Sequence, residues 1–405
     1  LSFKMEKMRK FILMAMILFA LTMQSKNKYG MLYNRIDSLM SSIFLDDAPG
    51  AALLIADGDK VIFDKGYGIA DMEKHEHIDG NTIFNIASVT KQFTVAGILK
   101  LQEMGLLSVE DSVAKFFPEF HGEMWKRVRI RHLMSHSSGV PDLRSRADQK
   151  KNLYITDEQC LEYMVNLDSL KFAPGTAYDY VNPTFQILYA IIERVSGMKF
   201  VDFQRKYLFD KAGMSSARYF SPDMPMEHVA HGYIIPNGAA PKDIDCDAHK
   251  QRNVERNIFT DLHGNQWAKW DYGEETFFAT KADGGLYCSI HDFLRWERAL
   301  ANNKCISEQS KLSAYTPHIM VSGSPYCTYQ NRPDAWYGYG WFIDTTPGLP
   351  VKIYHTGDNG GFQAYAAKFR DSKITITLFA NRNDIDRWKL ALDIERILRE
   401  EGELR

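Results

Sequence analysis

Four serines in this chain are followed three residues later by a lysine: Ser25 and Lys28, Ser88 and Lys91, Ser112 and Lys115, Ser196 and Lys199. Residues i and i+3 share a helical face, so such a lysine can reach the serine oxygen. A serine hydroxyl is a weak nucleophile until a neighbour takes its proton, and a lysine buried beside other positive potential can be that neighbour. The same pattern also describes a serine helix cap with a solvated lysine one turn later. Position separates the four pairs. Ser25 ends a leader-like segment, Ser112 lies beside Glu110 and Asp111, and Ser196 precedes Gly197 where a helix should end. Ser88 opens a long apolar run that ends near Met104, with Gly105 as its C-terminal stop. Ser88 and Lys91 are therefore the candidate nucleophile and base. A helix N-terminus favours negative charge, which makes the Ser88 backbone N–H a candidate oxyanion donor.

Two distant elements add the other groups that acyl transfer needs. Tyr-x-Asn occurs at Tyr180/Asn182 and Tyr329/Asn331; the first pair follows the turn Pro174-Gly175-Thr176 and precedes the apolar helix Phe185 to Val195. A tyrosine near a lysine ammonium can shuttle protons, and an asparagine can orient a substrate amide. His355-Thr356-Gly357 is the one [His/Lys]-[Ser/Thr]-Gly triplet in the chain and stands at the end of a predicted strand before Gly360-Gly361. A glycine there lets a substrate lie against the strand edge.

The elements that must carry these residues read as follows. Met31 to Ile43 has apolar residues at helical spacing; Ala51 to Ala56 and Lys60 to Phe63 flank Asp57-Gly58, a hairpin signal. From Ser88 to about residue 220 the pattern is mainly helical. The stretch from about 221 to 280 is polar and irregular and reads as loops over the site. Short β-rich segments follow at Trp341 to Ile343, Val351 to Thr356, Phe362 to Phe369 and Ile374 to Ala380, then a helix from Ile385 to Arg399. Consecutive strands joined by short turns imply an antiparallel sheet. The expected fold is α+β: an antiparallel sheet flanked by helices, from residues 28–90 and about 281–405, with an all-helical part at about 91–220 inserted into it and a loop-rich insert at about 221–280.

The order and spacing of the three motifs resemble the serine β-lactamases and penicillin-binding proteins, most closely the class C β-lactamase branch; S-x-x-K and K-T-G are motifs of that group. Phe84 to Lys91 is similar to the family's nucleophile segment, Ile130 to Gly139 to its "LLsHtSGl" stretch, and Tyr180-Val181-Asn182 to its Tyr-x-Asn element. Gly284-Gly285-Leu286 and Tyr337 to Trp341 resemble two further family segments. The resemblance implies a β-lactamase/DD-peptidase-like fold and an acyl-enzyme cycle in which Ser88 attacks a carbonyl, Lys91 and Tyr180 move the proton, and water releases the acyl group. It also implies a second oxyanion donor, the backbone N–H of Asp358, and makes His132 and His136 packing residues rather than a triad base. No Gly-x-Ser-x-Gly occurs, which removes the α/β-hydrolase reading. The departure is His355, where β-lactamases and transpeptidases usually carry a lysine to meet a substrate carboxylate. Relatives with His-x-Gly include D-amino-acid peptidases and esterases. The expectation is thus a hydrolase of esters or D-residue amides, with a class C-type β-lactamase and a non-catalytic peptidoglycan-binding or β-lactam-sensing relative as the alternatives.

The bulk properties fit that reading. The 405 residues are 45% hydrophobic and 25% charged, and 49 basic and 51 acidic side chains are mixed along the chain to a net −2, so no basic tract calls for nucleic acid. Lys4, Lys7, Arg9 and Lys10 precede the apolar run Phe11 to Met23, a signal-peptide pattern over residues 1–27 that implies export to the periplasm or medium and only transient membrane contact. Cys160, Cys246, Cys288, Cys305 and Cys327 are widely spaced, so neither a zinc cage nor a redox pair is encoded, and no cofactor is expected. His75-Glu76-His77 has no zinc spacing and reads as an exposed hairpin loop. The partner expected is a small ester, peptide or cell-wall fragment.

Overall fold

A computed structural model of the protein describes residues 29–142, 156–219, 221, 225–236, 258–270, 280–327 and 335–404. The expected leader and Tyr329/Asn331 lie outside the described residues. The chain divides into two compact units, one from the segment ending at Ile43 together with Trp388 onward, the other Phe44–Arg387. In the first, residues 29–41 are helical, and Arg35 pairs with Glu400 and Glu401. Leu32, Ile36 and Met40 recur every fourth residue and are buried, the apolar stripe that the sequence shows.

The second unit is built on an antiparallel sheet whose strands are β1 (Ala51–Asp57), β2 (Lys60–Tyr67), β3 (Ile319–Met320), β4 (Ala335–Tyr337), β5 (Phe342–Asp344), β6 (Lys352–Asn359), β7 (Phe362–Phe369) and β8 (Ile374–Ala380). Their order is β3-β4-β5-β6-β7-β8-β1-β2, so the early hairpin joins the sheet beside its last strand. β1 pairs with β8 from Ala51↔Ala380 to Asp57↔Ile374. The hairpin turn is where Asp57-Gly58 predicts it, with Gly58 at φ +57°, a conformation glycine takes without a Cβ clash. β2 runs four residues past the expected Phe63, with Asp64 meeting His291 of the neighbouring helix and Lys65 lying over the Tyr67 ring, polar residues that an edge strand tolerates.

Helices α1 (Lys91–Glu103), α2 (Asp157–Met164), α3 (Pro183–Ser196) and α4 (Ile290–Ala301) supply the second layer; the last helix, α5, spans Arg387–Glu400. α1 packs on α3, α2 on α3, and α4 on β1 and β8. Phe93 of α1 stacks on Trp296 of α4 with ring centroids 4.3 Å apart and meets Phe209 edge-on at 5.7 Å. α1 is buried nearly all round, which is why its sequence is apolar without a clear stripe. α3 begins at Pro183, whose missing N–H costs nothing in the first turn, and ends at Gly197, φ +67°.

One expectation is revised. The stretch read as loops carries a three-stranded sheet of Tyr233–Ile234, Gln266–Lys269 and Ile258–Thr260. Strands of two to four residues are too short to show an alternating pattern. Their anchor is Trp267, buried, whose Nε1 donates to the Asp261 carboxylate at 3.0 Å. His75 lies in the hairpin turn expected for it, between Ile69–Asp71 and Glu76–His77.

Candidate active site

Ser88 sits in a tight 3₁₀ turn, Ala87–Thr90, that leads into α1. The turn is held in an unusual shape. Ala87 has φ +47°, left-handed backbone that costs a residue with a Cβ about 1–3 kcal/mol unless its surroundings enforce it. They do: the Ala87 N–H donates to Asn85 Oδ1 at 2.9 Å, and the Ile86 N–H donates to the Leu286 carbonyl at 3.0 Å. Asn359 Nδ2, at the end of β6, donates to the same Asn85 oxygen at 3.0 Å. Gly357 of β6 lies directly against the turn. A Cβ there would stand 2.5 Å from the Ile86 oxygen, 2.9 Å from Ala87 Cβ and 3.0 Å from the Ser88 nitrogen. Glycine is needed at 357 so that the strand can approach the serine, a reason that sits beside the one read from sequence.

Lys91 opens α1 with its side chain fully buried. Its Nζ is 3.0 Å from Ser88 Oγ and donates to the Asp283 carbonyl at 2.7 Å. The Lys91 nitrogen lies 4.9 Å from the Tyr180 ring centroid and 5.3 Å from that of Phe185. Ser88 itself is half-buried and open to solvent. A buried amine one hydrogen bond from a reachable hydroxyl can exchange a proton with it, which is the arrangement general-base activation requires.

Tyr180 and Asn182 are half-buried on the segment that leads into α3. Asn182 Oδ1 has no hydrogen-bond partner although it is buried. The backbone on both sides of Tyr180 is tied to His136: the Asp179 N–H donates to the His136 carbonyl at 2.9 Å and the Val181 N–H to His136 Nδ1 at 3.2 Å. The two rings lie 4.1 Å apart. Burial, Lys91 and His355 hold the His136 imidazole well below the usual histidine range. His136 is a packing residue, as expected, and what it packs is the Tyr180 segment.

His355 is buried on β6, 6.3 Å from the Tyr180 ring and 5.1 Å from Phe342. Its Nδ1 is 2.6 Å from the Thr356 carbonyl and its Nε2 2.9 Å from the Tyr337 hydroxyl. A carbonyl only accepts, so Nδ1 carries a proton, and in the neutral imidazole Nε2 accepts from Tyr337. Thr356 is buried next to it. Asp358 follows Gly357 on β6 with its carboxylate turned to Arg387, whose Nη1 donates to it at 2.8 Å and to the Gly357 carbonyl at 2.6 Å.

The structure thus brings Ser88, Lys91, Tyr180, His355 and Gly357 together and leaves the other described Ser-x-x-Lys pairs elsewhere. The Asp283 carbonyl, Asn85 and Tyr337 were not singled out from sequence. A backbone carbonyl carries no residue-type signal, although Gly284-Gly285-Leu286 and the Tyr337 segment mark the places. No group of acidic, histidine and cysteine side chains suited to a metal ion is found among the described residues.

A family model described as Beta-lactamase matches residues 43–396. Over 352 residues the chain is 27% identical to Penicillin-binding protein 4* of Bacillus subtilis (strain 168), covering 84% of this chain and 70% of that protein. The D-amino acid amidase from Ochrobactrum anthropi SV3 is similar in structure with TM-score 0.67 and 18% identity, over 90% of this chain and 98% of that one. EstCE1, a hydrolase with promiscuous acyltransferase activity, gives TM-score 0.71 and 19% identity over 91% and 99%. At those identities the two structures speak for a shared fold.

Proposed function

The chain belongs to the beta-lactamase family of serine hydrolases, and from that premise we propose that it hydrolyses esters or D-residue amides through an acyl-enzyme on Ser88. The observation that carries the reading is the buried Lys91 amine, 3.0 Å from Ser88 Oγ and fixed from behind by the Asp283 carbonyl at 2.7 Å. In the forward step Ser88 Oγ bonds to the substrate carbonyl carbon while its proton passes to the Lys91 amine. Lys91 and Tyr180 then deliver that proton to the departing alcohol or amine. The Ser88 and Asp358 backbone N–H groups stabilise the oxyanion, and Asn182 orients the acyl side chain. Water then adds to the acyl carbon, the bond to Ser88 Oγ breaks, and the water proton returns through Lys91 and Tyr180 to Oγ as the acid leaves.

His355 bears on the substrate. With Nδ1 on the Thr356 carbonyl and Nε2 on Tyr337, the imidazole has both nitrogens engaged inside the protein and offers no permanent charge to a carboxylate. That favours uncharged esters and amides over carboxylate-bearing β-lactams, and so favours the hydrolase over the class C-type β-lactamase alternative. The intact Ser88–Lys91 pair speaks against a relative that only binds peptidoglycan; turnover separates the hydrolase from a sensor. Export belongs to this proposal too, since the basic and then apolar pattern of residues 1–27 supports it; no helix among the described residues is long and apolar enough to cross a membrane. A small ester, a peptide or a cell-wall fragment is the proposed substrate.

The test is a side-by-side panel of p-nitrophenyl esters, D-alanine peptides and the cephalosporin nitrocefin on wild type and His355→Lys. Wild type should turn over the esters much faster than nitrocefin, and the lysine should shift kcat/KM toward nitrocefin. Nitrocefin as the better wild-type substrate would return the assignment to a β-lactamase, and labelling without turnover of any member would make it a sensor.

A further inference from the structure

Asp157 opens α2, far from Ser88 in sequence, with its carboxyl completely buried. It faces a short helical turn, Lys281–Gly284, that no side chain of its own caps: Thr280 stands at the N-cap position and makes no cap bond. Asp157 fills that role from another helix. Its Oδ2 accepts the Lys281 N–H at 2.6 Å and its Oδ1 the Ala282 N–H at 3.2 Å. Those are two of the donors that a helix start leaves without internal partners. The same turn is held by Thr94 Oγ1, which donates to the Ala282 carbonyl at 2.7 Å, and by Gln186 Nε2, which donates to Asp283 Oδ1 at 2.8 Å. The next carbonyl, that of Asp283, is the one that receives Lys91 Nζ.

We propose that Asp157 is a positioning residue for Lys91, acting through the Lys281–Gly284 turn to set the carbonyl on which the amine is anchored. The inference rests on the Ser88–Lys91 reading above. Lys91 has to satisfy two partners at once, Ser88 Oγ at 3.0 Å and the Asp283 oxygen at 2.7 Å, so a small displacement of the turn changes the first distance through the second. A carboxylate can accept both amides without conflict, whereas a protonated acid turns one oxygen into a hydroxyl and weakens one of the two bonds. Burial pushes the Asp157 carboxyl up to about 8, with Asp283 pushing the same way and Lys281 and the two amides pulling down. Among the described residues the Glu158–Tyr189 pair on α2 and α3 and the buried Tyr219 also face it. Deprotonation on passing upward through that range should therefore tighten the turn and, with it, the Lys91 anchor.

The experiment measures single-turnover acylation by p-nitrophenyl butyrate for wild type, Asp157→Asn and Thr94→Val. Misplacement of a catalytic group costs on the order of a hundredfold per ångström, so Asp157→Asn should lose about tenfold to a hundredfold in the acylation rate with KM changed by less than about twofold. Its rate-against-pH curve should lack an inflection that the wild type shows near pH 8. Thr94→Val loosens the same turn without touching Asp157 and should give a smaller loss of the same kind; it serves as the test if Asp157→Asn does not fold. Fluorophosphonate labelling of wild type is read first. Absence of label on Ser88 overturns both this inference and the reading under it. Label on Ser88 together with pH curves that superimpose for wild type and Asp157→Asn, an acylation rate unchanged in Thr94→Val, or a loss confined to KM, overturns the positioning role alone.

Discussion

The chain writes Ser-x-x-Lys at residues 88–91 and again at 112–115, and the two places behave as different chemistry. In the first the lysine is fully buried, bonded to its own serine and to the Asp283 carbonyl, with aromatic rings around it. In the second the Lys115 side chain is half exposed and its ammonium turns back to Asp111 Oδ2 at 2.8 Å, a solvated i,i+4 ion pair. Ser112 stands at the N-cap of a three-residue turn without making a cap bond. A third pair repeats the lesson: Ser196 donates to the Ile192 carbonyl of its own helix at 2.6 Å, and Lys199 is 79% exposed. Spacing places a lysine within reach of a serine. Burial, and a second acceptor behind the amine, decide whether it stays there.

The comparison breaks most sharply on the lysines. Lys91→Ala and Tyr180→Phe are each expected to lower kcat by a factor on the order of 10² to 10⁴, the scale of positioned acid–base groups. Because the two act as one proton-handling unit, the double variant should lose much less than the product of the single factors. Lys115→Ala should leave kcat/KM unchanged. A comparable loss from Lys115→Ala would erase the distinction between the two regions.

A smaller effect sharpens the role of the strand. Gly357→Ala puts a Cβ 2.5 Å from the Ile86 carbonyl and 3.0 Å from the Ser88 nitrogen, so β6 and the serine turn must separate. An acylation rate lower by about a hundredfold is expected, on the scale of an ångström of misplacement. Stopped-flow ester hydrolysis alongside thermal unfolding checks this; a stability loss with normal acylation would make Gly357 a packing glycine only.

The smallest effect separates the two regions by pH. His132 is pushed down to about 4 by burial and by Arg131, and its Nδ1 accepts the Arg129 N–H at 3.1 Å, on the side of the chain that carries Ser112. Between that value and the ordinary histidine value near 6.5 the unfolded chain binds a proton that the folded one does not. Stability therefore rises with pH across the window and is lost as the pH falls through it. His132→Gln should flatten the dependence of urea unfolding on pH in that range while leaving the pH profile of ester hydrolysis as in wild type. A shifted activity profile would couple His132 to the Tyr180 segment that His136, four residues on, holds.

How much of this was legible in the sequence follows from how local each feature is. β7 and β8 coincide with the segments read from sequence, Phe362–Phe369 and Ile374–Ala380, because they are short β-rich runs bounded by turn residues. α1 ends beside Gly105, φ +71°, as the glycine predicts, but the α-helix proper starts at Lys91, since the enforced turn at Ala87 occupies the residues before it. Ser88 and Lys91 were legible because three residues separate them. The Asp283 carbonyl, the Asn85 bond to Asn359 and the His136 clamp on Tyr180 were not: each joins residues far apart in the chain, and the Asp283 and His136 carbonyls are backbone atoms that every residue type shares. The small sheet around Trp267 escaped because its strands are shorter than a period can reveal.

The most direct measurement is to react the wild-type protein with a fluorophosphonate, digest it and locate the adduct by mass spectrometry, with Ser88→Ala as the control. The account predicts a single adduct on Ser88, absent from Ser88→Ala, together with loss of ester turnover in that variant while it remains folded. An adduct on Ser112 or Ser196, or undiminished turnover in Ser88→Ala, would contradict it.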